Sequence, residues 1–423
     1  MPAAESNLFT CRRKVLYKYI VDALTRWQAK AAVTFVIALI VMVVGAGLLY
    51  LVFVINPVHR DPEKVPSTVS VAETGPHTAS VERTRRLARQ LLVKENIPGL
   101  SIAVAIDGKV VWAEGFGYAN VERREALTPN SRFHLGSVSK TLTAAGVALL
   151  HDRGQLDLDA PVQKYVPSYP QKTWTVTPRQ LLGDIAGVHK IRGDNNDQPP
   201  FGRCQNLDEA LELFANEPLL FKPGTAYRFA SNGWVLLSAV IEGAAREPFS
   251  AFMSREVFGP LGMTRTMLDG AAPNSDLVSV FDPGTVMLHN LGIESDPPPP
   301  AEYSCFAGAG AFLSTPSDLV RLGSAMLNPR LLKAETLEVF QTPQQLESGA
   351  STGFALGWAV NSIPFGGVKV RVLRHRATPF GGGVSLTIFP EGKMVIAAAA
   401  NGAELETVDA LVLEAAEAFA AIH

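Results

Sequence analysis

The chain has 423 residues, 47% of them hydrophobic and 18% charged, with a formal net charge of −2. That balance gives no electrostatic reason to expect a nucleic-acid partner, and three cysteines are too few for a disulfide framework. The eight histidines are scattered and no Cys/His spacing suits zinc, so neither a metal nor a cofactor is expected.

In chain order, residues 1–30 form a basic segment carrying Arg12, Arg13, Lys14, Lys18, Arg26 and Lys30. No charged residue follows from 31 to 55. As a helix this run would reach roughly 37 Å, enough to cross a hydrocarbon core of about 30 Å with some tilt. A cleaved signal peptide would be shorter and nearer the start, and a core helix rarely runs so long without a polar face. A single transmembrane helix is therefore expected. The flank after it, from His59 to Lys64, is mixed in sign. The positive-inside tendency keeps 1–30 in the cytoplasm and delivers the remainder to the extracytoplasmic side, the periplasm in a bacterium. Residues 56–80 are rich in Pro, Ser, Thr and Gly and read as a flexible linker.

The remaining stretch, 81–423, reads as one domain. A helical pattern over 81–96 precedes a strand at 100–106, an Asp107-Gly108 turn and a second strand at 109–118. A helix is predicted from near Ser137 to the Arg153-Gly154 stop. The part from about 155 to 305 carries helical patterns and Pro-containing loops, including DPPPP at 296–300. Strand-like runs follow at 368–373, 384–389 and 394–400, and an amphipathic helix at 404–421 ends the chain. This order predicts an α/β (α+β) fold. One antiparallel sheet, assembled from both ends of the chain, is flanked by helices, and the middle forms an inserted, mostly helical lobe.

Ser137-Val138-Ser139-Lys140 places a hydroxyl and an amine three residues apart at a predicted helix start, on one face. A serine hydroxyl is a weak nucleophile until a neighbouring base takes its proton, and a desolvated lysine can serve. Taken alone, an N-capping serine and a solvated lysine would explain these four residues equally well. Cys204 and Cys305 are read either as small buried hydrophobes or as a bridge that an exported domain would permit.

The context carries more. FHLGSVSKTLTAAGVALLHDRGQLDLDAPVQKYVP, FKPGTAYRFASNGWVLLSAVIE (221–242) and AGAGAFLSTPSDLVRLGSAML (307–327) closely resemble the serine β-lactamase/penicillin-binding-protein family. The likeness is to its class C-like D,D-peptidases, esterases and β-lactamases, and in particular to the mitochondrial serine β-lactamase-like branch. It implies Ser137 as nucleophile, Lys140 as base, and an oxyanion hole made by the N–H groups of Ser137 and Thr378. His375, opening the third-motif triplet His375-Arg376-Ala377, would be the polar group beside the nucleophile or would simply end a strand.

Three positions depart from the family pattern. The second motif has Phe229 where relatives carry a proton-transferring tyrosine, followed by Ala230 and Ser231. Tyr227, two residues earlier, is a candidate substitute. Ala377 replaces a glycine, with Gly381-Gly382-Gly383 as a source of compensating room, and Asp184 stands where relatives carry histidine. The resemblance implies a hydrolase acting through an acyl-enzyme on a small-molecule or peptide amide or ester, weakened by Phe229, and the uncharged run at 31–55 would anchor it in a membrane. The alternative is a lapsed, ligand-binding or self-associating scaffold of the same fold.

Overall fold

The computed structural model describes residue 30 and residues 33–48, 57–73, 75–189, 203–270, 276–279, 303–329, 331–365, 367–379 and 381–420. The chain divides into two units, Met1–Pro57 and Val58–His423. In the first, 33–48 are helical and carry exposed large hydrophobic side chains from Val33 to Leu48. Among the described residues no helix is long and apolar enough to cross a membrane. The predicted span at 31–55 extends past that helix at both ends, and 31–32 and 49–55 lie outside the described residues, as do 1–29 and the DPPPP loop.

The second unit is built on an antiparallel sheet. Its strands are β1 (Ser67–Ala72), β2 (Gly99–Ile106), β3 (Lys109–Asn120), β4 (Glu125–Ala126), and, after β5 (Phe133–His134), β6 (Met267–Leu268) and β7 (Phe312–Ser314), the strands β8 (Ala359–Phe365), β9 (Val368–Ala377), β10 (Gly382–Phe389) and β11 (Met394–Asn401). The order is β1-β3-β2-β11-β10-β9-β8, with β4 on β3, so both ends of the chain meet at the β2–β11 pair. β5, β7 and β6 form a separate small sheet, of which only β6 falls within the inserted lobe. The β2–β3 hairpin turns through Asp107 at φ 50° and Gly108 at φ 80°, as an Asp-Gly pair does where both residues must be left-handed.

Successive strand residues point to opposite faces, and both faces are buried. Leu100, Ile102, Val104, Trp112, Phe116 and Ile396 pack on one side, in a core shared with α1 (Thr78–Lys94) and the C-terminal helix Leu405–Ala420. Ala103, Ala105, Ala113, Ala397 and Ala399, with Leu386, Ile388 and Val395, line the other, against the helix Pro316–Ala325. On the first face the fully buried Glu114 accepts hydrogen bonds from both Nε and Nη2 of Arg85 of α1 and one from the Trp112 indole at 3.0 Å, so its charge is paired, as a buried carboxylate requires. On β9, Arg374 and Arg376 both reach Asp409 of the C-terminal helix, which also takes a hydrogen bond from Ser385. This cluster fixes the strand that carries His375.

The expected linker at 56–80 is corrected here. β1 pairs with β3 from Ser67↔Phe116 to Ala72↔Trp112, and α1 already begins at Thr78. Upstream, the buried His59 ring stacks on Tyr118 and hydrogen-bonds the Pro98 carbonyl. The strand escapes a reading of composition because main-chain hydrogen bonds hold it while its side chains stay half or fully exposed. Such an edge leaves no alternation of buried and exposed residues. Cys204 and Cys305 are joined in a disulfide across 101 positions, which decides between the two readings of those cysteines.

Candidate active site

Ser137 sits in a 3-10 turn, Gly136–Val138, that leads directly into α2 (Ser139–Asp152). Gly136 takes φ 50°, and a Cβ there would lie 3.4 Å from those of Ala377 and Pro379, so the end of β9 closes against the turn. One helical turn on, Lys140 is completely buried. Its Nζ donates to Ser137 Oγ at 2.9 Å, to Ser231 Oγ at 3.4 Å and to the Ala309 carbonyl at 3.1 Å. The structure therefore joins Ser137, Lys140 and Ser231, and Ser137 itself is only half-buried. The N-capping reading of Ser137 fails, since no side-chain cap forms at α2 and the lysine is not solvated.

The Lys140 Nζ also lies over the Phe229 ring, 4.6 Å from its centroid. Phe229 thus occupies the motif position as a π face, which attracts a desolvated cation by about 2 kcal/mol but carries no proton to exchange. The Tyr227 ring lies against Phe354 at 5.8 Å, the residue is 39% exposed, and among the described residues it makes no hydrogen bond to Ser137 or Lys140.

His375 is buried on β9, with Nδ1 on the Gly357 carbonyl at 3.0 Å and its ring edge-on to Phe354. Burial first, and the Lys140 charge second, push it down to about 3. It is a neutral imidazole across the working range. Its folded value lies below the ordinary one, so its stabilising contribution is full above about pH 6.5 and is lost as pH falls towards 3. The side-chain nitrogen shifts of His375 should accordingly show no protonation step between pH 9 and pH 5, and a step near 6.5 would contradict this assignment.

Thr378 follows the last residue of β9 and is exposed. Ala377 is buried, on the side of Gly136. Within the glycine run, a Cβ on Gly382 would fall 2.0 Å from the Ala400 carbonyl, so close approach to β11 demands glycine there.

Several contributors lack any side-chain signal in the sequence. The Ala309 carbonyl belongs to the short helix Ala307–Gly310, which is held from both sides: Thr143 of α2 donates to the Gly308 carbonyl and the Gly308 N–H donates to Ser238. Backbone groups of this kind emerge only when three distant segments are brought together.

A beta-lactamase family model matches residues 84–420. The chain belongs to the beta-lactamase family. Members of this beta-lactamase and penicillin-binding group are serine hydrolases. The chain is similar to the mitochondrial serine beta-lactamase-like protein LACTB of Bos taurus, at 27% identity over 75% of this chain and 73% of that protein. It is also similar to penicillin-binding protein 4* of Bacillus subtilis, at 26% identity over 65% of this chain and 62% of that one. Among solved structures, the octameric penicillin-binding protein homologue from Pyrococcus abyssi shares the fold, with a TM-score of 0.63, 22% identity, and coverage of 79% of this chain and 76% of that one.

Proposed function

We propose that this beta-lactamase family member is a membrane-anchored serine hydrolase that works through an acyl-enzyme on an amide or ester of a small molecule or peptide. The observation that carries this reading is the buried Lys140 amine 2.9 Å from the Ser137 hydroxyl. The serine oxygen would bond to the carbonyl carbon as its proton passes to Lys140. The N–H groups of Ser137 and Thr378 would receive the negative charge that develops on the carbonyl oxygen. Collapse would then expel an amine or alcohol carrying the proton from Lys140, and water would hydrolyse the ester left on Ser137. Ser231, also bonded to Lys140, is the hydroxyl available to pass that proton onward.

The anchor is proposed for 31–55, with 1–30 cytoplasmic and the hydrolase domain outside. Its support is the uncharged run, the exposed apolar helix over 33–48 and a disulfide of the kind that persists in oxidising compartments. One observation favours the alternative, a ligand-binding or self-associating scaffold: Phe229 offers Lys140 a π face where the family pattern has an acid–base group.

A fluorescent penicillin and a panel of chromogenic esters separate the two readings, with Ser137→Ala as control. Phe229→Tyr should raise ester turnover by about 10²-fold or more, the lower end for restoring a proton-transfer group. If neither the natural protein nor Phe229→Tyr is labelled or turns over any ester, the scaffold reading stands and the hydrolase reading is lost.

A further inference from the structure

Beneath the second-motif triplet lies a buried acid that the reaction above does not use. Asp184 follows the helix α3 (Pro178–Leu182), which Thr177 and Gln180 open by capping each other's backbone. It is 4% exposed and takes φ 54°, a left-handed conformation that aspartate and asparagine tolerate better than most residues. Its Oδ1 accepts from the Trp234 indole at 3.1 Å and from the Ala230 N–H at 3.4 Å. Those two residues begin α4 (Ser231–Ala245), where Ala230 itself supplies no side-chain cap. Oδ2 has no hydrogen-bond partner among the described residues.

Lys140 holds the same triplet from its two ends, resting on the Phe229 ring and donating to Ser231, while Asp184 holds the residue between them. The two charges feel each other. Burial raises Asp184 to about 7 even though the Lys140 ammonium pulls it down. Coupling between two sites is reciprocal, so an ionised Asp184 must favour the ammonium form of Lys140 by the same free energy.

We propose that Asp184 is the counter-charge of Lys140, a positioning residue that sets how readily the lysine passes between amine and ammonium while Ser137 is acylated. The inference rests on the hydrolase reading for its purpose but not for its test. In the acylation step an O–H bond of Ser137 breaks, an N–H bond forms on Lys140, and the lysine holds a positive charge until the leaving group takes the proton. Asp184 gains and loses nothing in that exchange. Its carboxylate offsets the transient charge, as the buried aspartate does behind the histidine of a serine protease triad.

Among the described residues, the other titratable groups around the pair are few. Tyr227, from the loop before α4, is raised to about 12 by burial and by Asp184. His375 on β9 stays neutral. His189 is tied to α4 through its carbonyl, which accepts from Asn232.

A purely structural role for Asp184, capping α4 and holding Trp234, makes a different prediction, and Asp184→Asn tells them apart. Asparagine keeps an acceptor for both N–H groups and tolerates the backbone angle, yet carries no charge. The full chain would be labelled with 13Cε-lysine in detergent, and the Lys140 signal assigned by its loss in Lys140→Met. Titrated from pH 5 to pH 11, the Lys140 midpoint should fall by about one pH unit, a tenfold change, in Asp184→Asn. Asp184→Glu should restore it.

An unchanged midpoint in a folded Asp184→Asn protein would overturn the proposal. Should that variant not fold, the natural protein decides: its Lys140 signal must show a second inflection near pH 7, where Asp184 titrates, and a single step overturns it. Because the titration needs no turnover, absence of Ser137 labelling would count against the hydrolase reading alone. Where labelling occurs, its rising pH limb should move with the Lys140 midpoint.

Discussion

Lys140→Met should slow acylation of Ser137 by about 10²–10⁴-fold, the usual cost of removing a proton-transfer group. Methionine preserves most of the buried volume and removes only the amine, so the effect reads chemistry more than packing. The expectation follows from the surroundings of the fully buried lysine, whose amine meets the Ser137 and Ser231 hydroxyls and the Ala309 carbonyl. Ser137→Ala should abolish covalent labelling outright. Combining the two changes should cost no more than Ser137→Ala alone, since residues acting as one unit are not additive. Stopped-flow labelling with a fluorescent penicillin or an activated ester measures this. A Lys140→Met protein that acylates at the natural rate, while remaining folded, would remove the lysine from the mechanism.

The second large effect concerns stability. Replacing Cys204 and Cys305 together with serine should cost about 2–5 kcal/mol, because the bridge removes loop-closure entropy from the unfolded chain and the loop is long. The two cysteines are 101 positions apart. The consequence for the site should be small at room temperature. Cys305 lies four residues before Ala309, yet the helix carrying Ala309 is bonded to Thr143 and Ser238 independently of the bridge. Thermal unfolding with and without reductant should therefore show a clear loss of Tm, with an unchanged labelling rate at 25 °C. A labelling rate that falls with the disulfide while the domain stays folded would mean that the bridge, and not the two hydroxyls, holds the lysine's acceptor in place.

Much of the frame was legible beforehand because local chemistry dictates it. Asp107-Gly108 can turn a hairpin with both residues left-handed, and Gly154 closes α2 at φ 71°. The Ser137/Lys140 spacing put two groups on one helix face before any fold was known. The edge strand Ser67–Ala72 was not legible, because nothing in its side chains records the β3 backbone that pairs with it. The two cysteines were likewise undecided until Cys204 met Cys305.

At the site the division is sharper. Residue types and their spacing alone determined that a serine and a lysine share a helical turn, and that Phe229 cannot transfer a proton. Only the tertiary structure decided that the lysine is buried, that Phe229 faces it as a π surface, that Tyr227 lies against Phe354, and that Asp184 sits within reach of its charge. The reason is physical. Spacing along a chain sets which side chains share an element, whereas desolvation and charge coupling depend on segments that are distant in sequence and adjacent only once the core has closed.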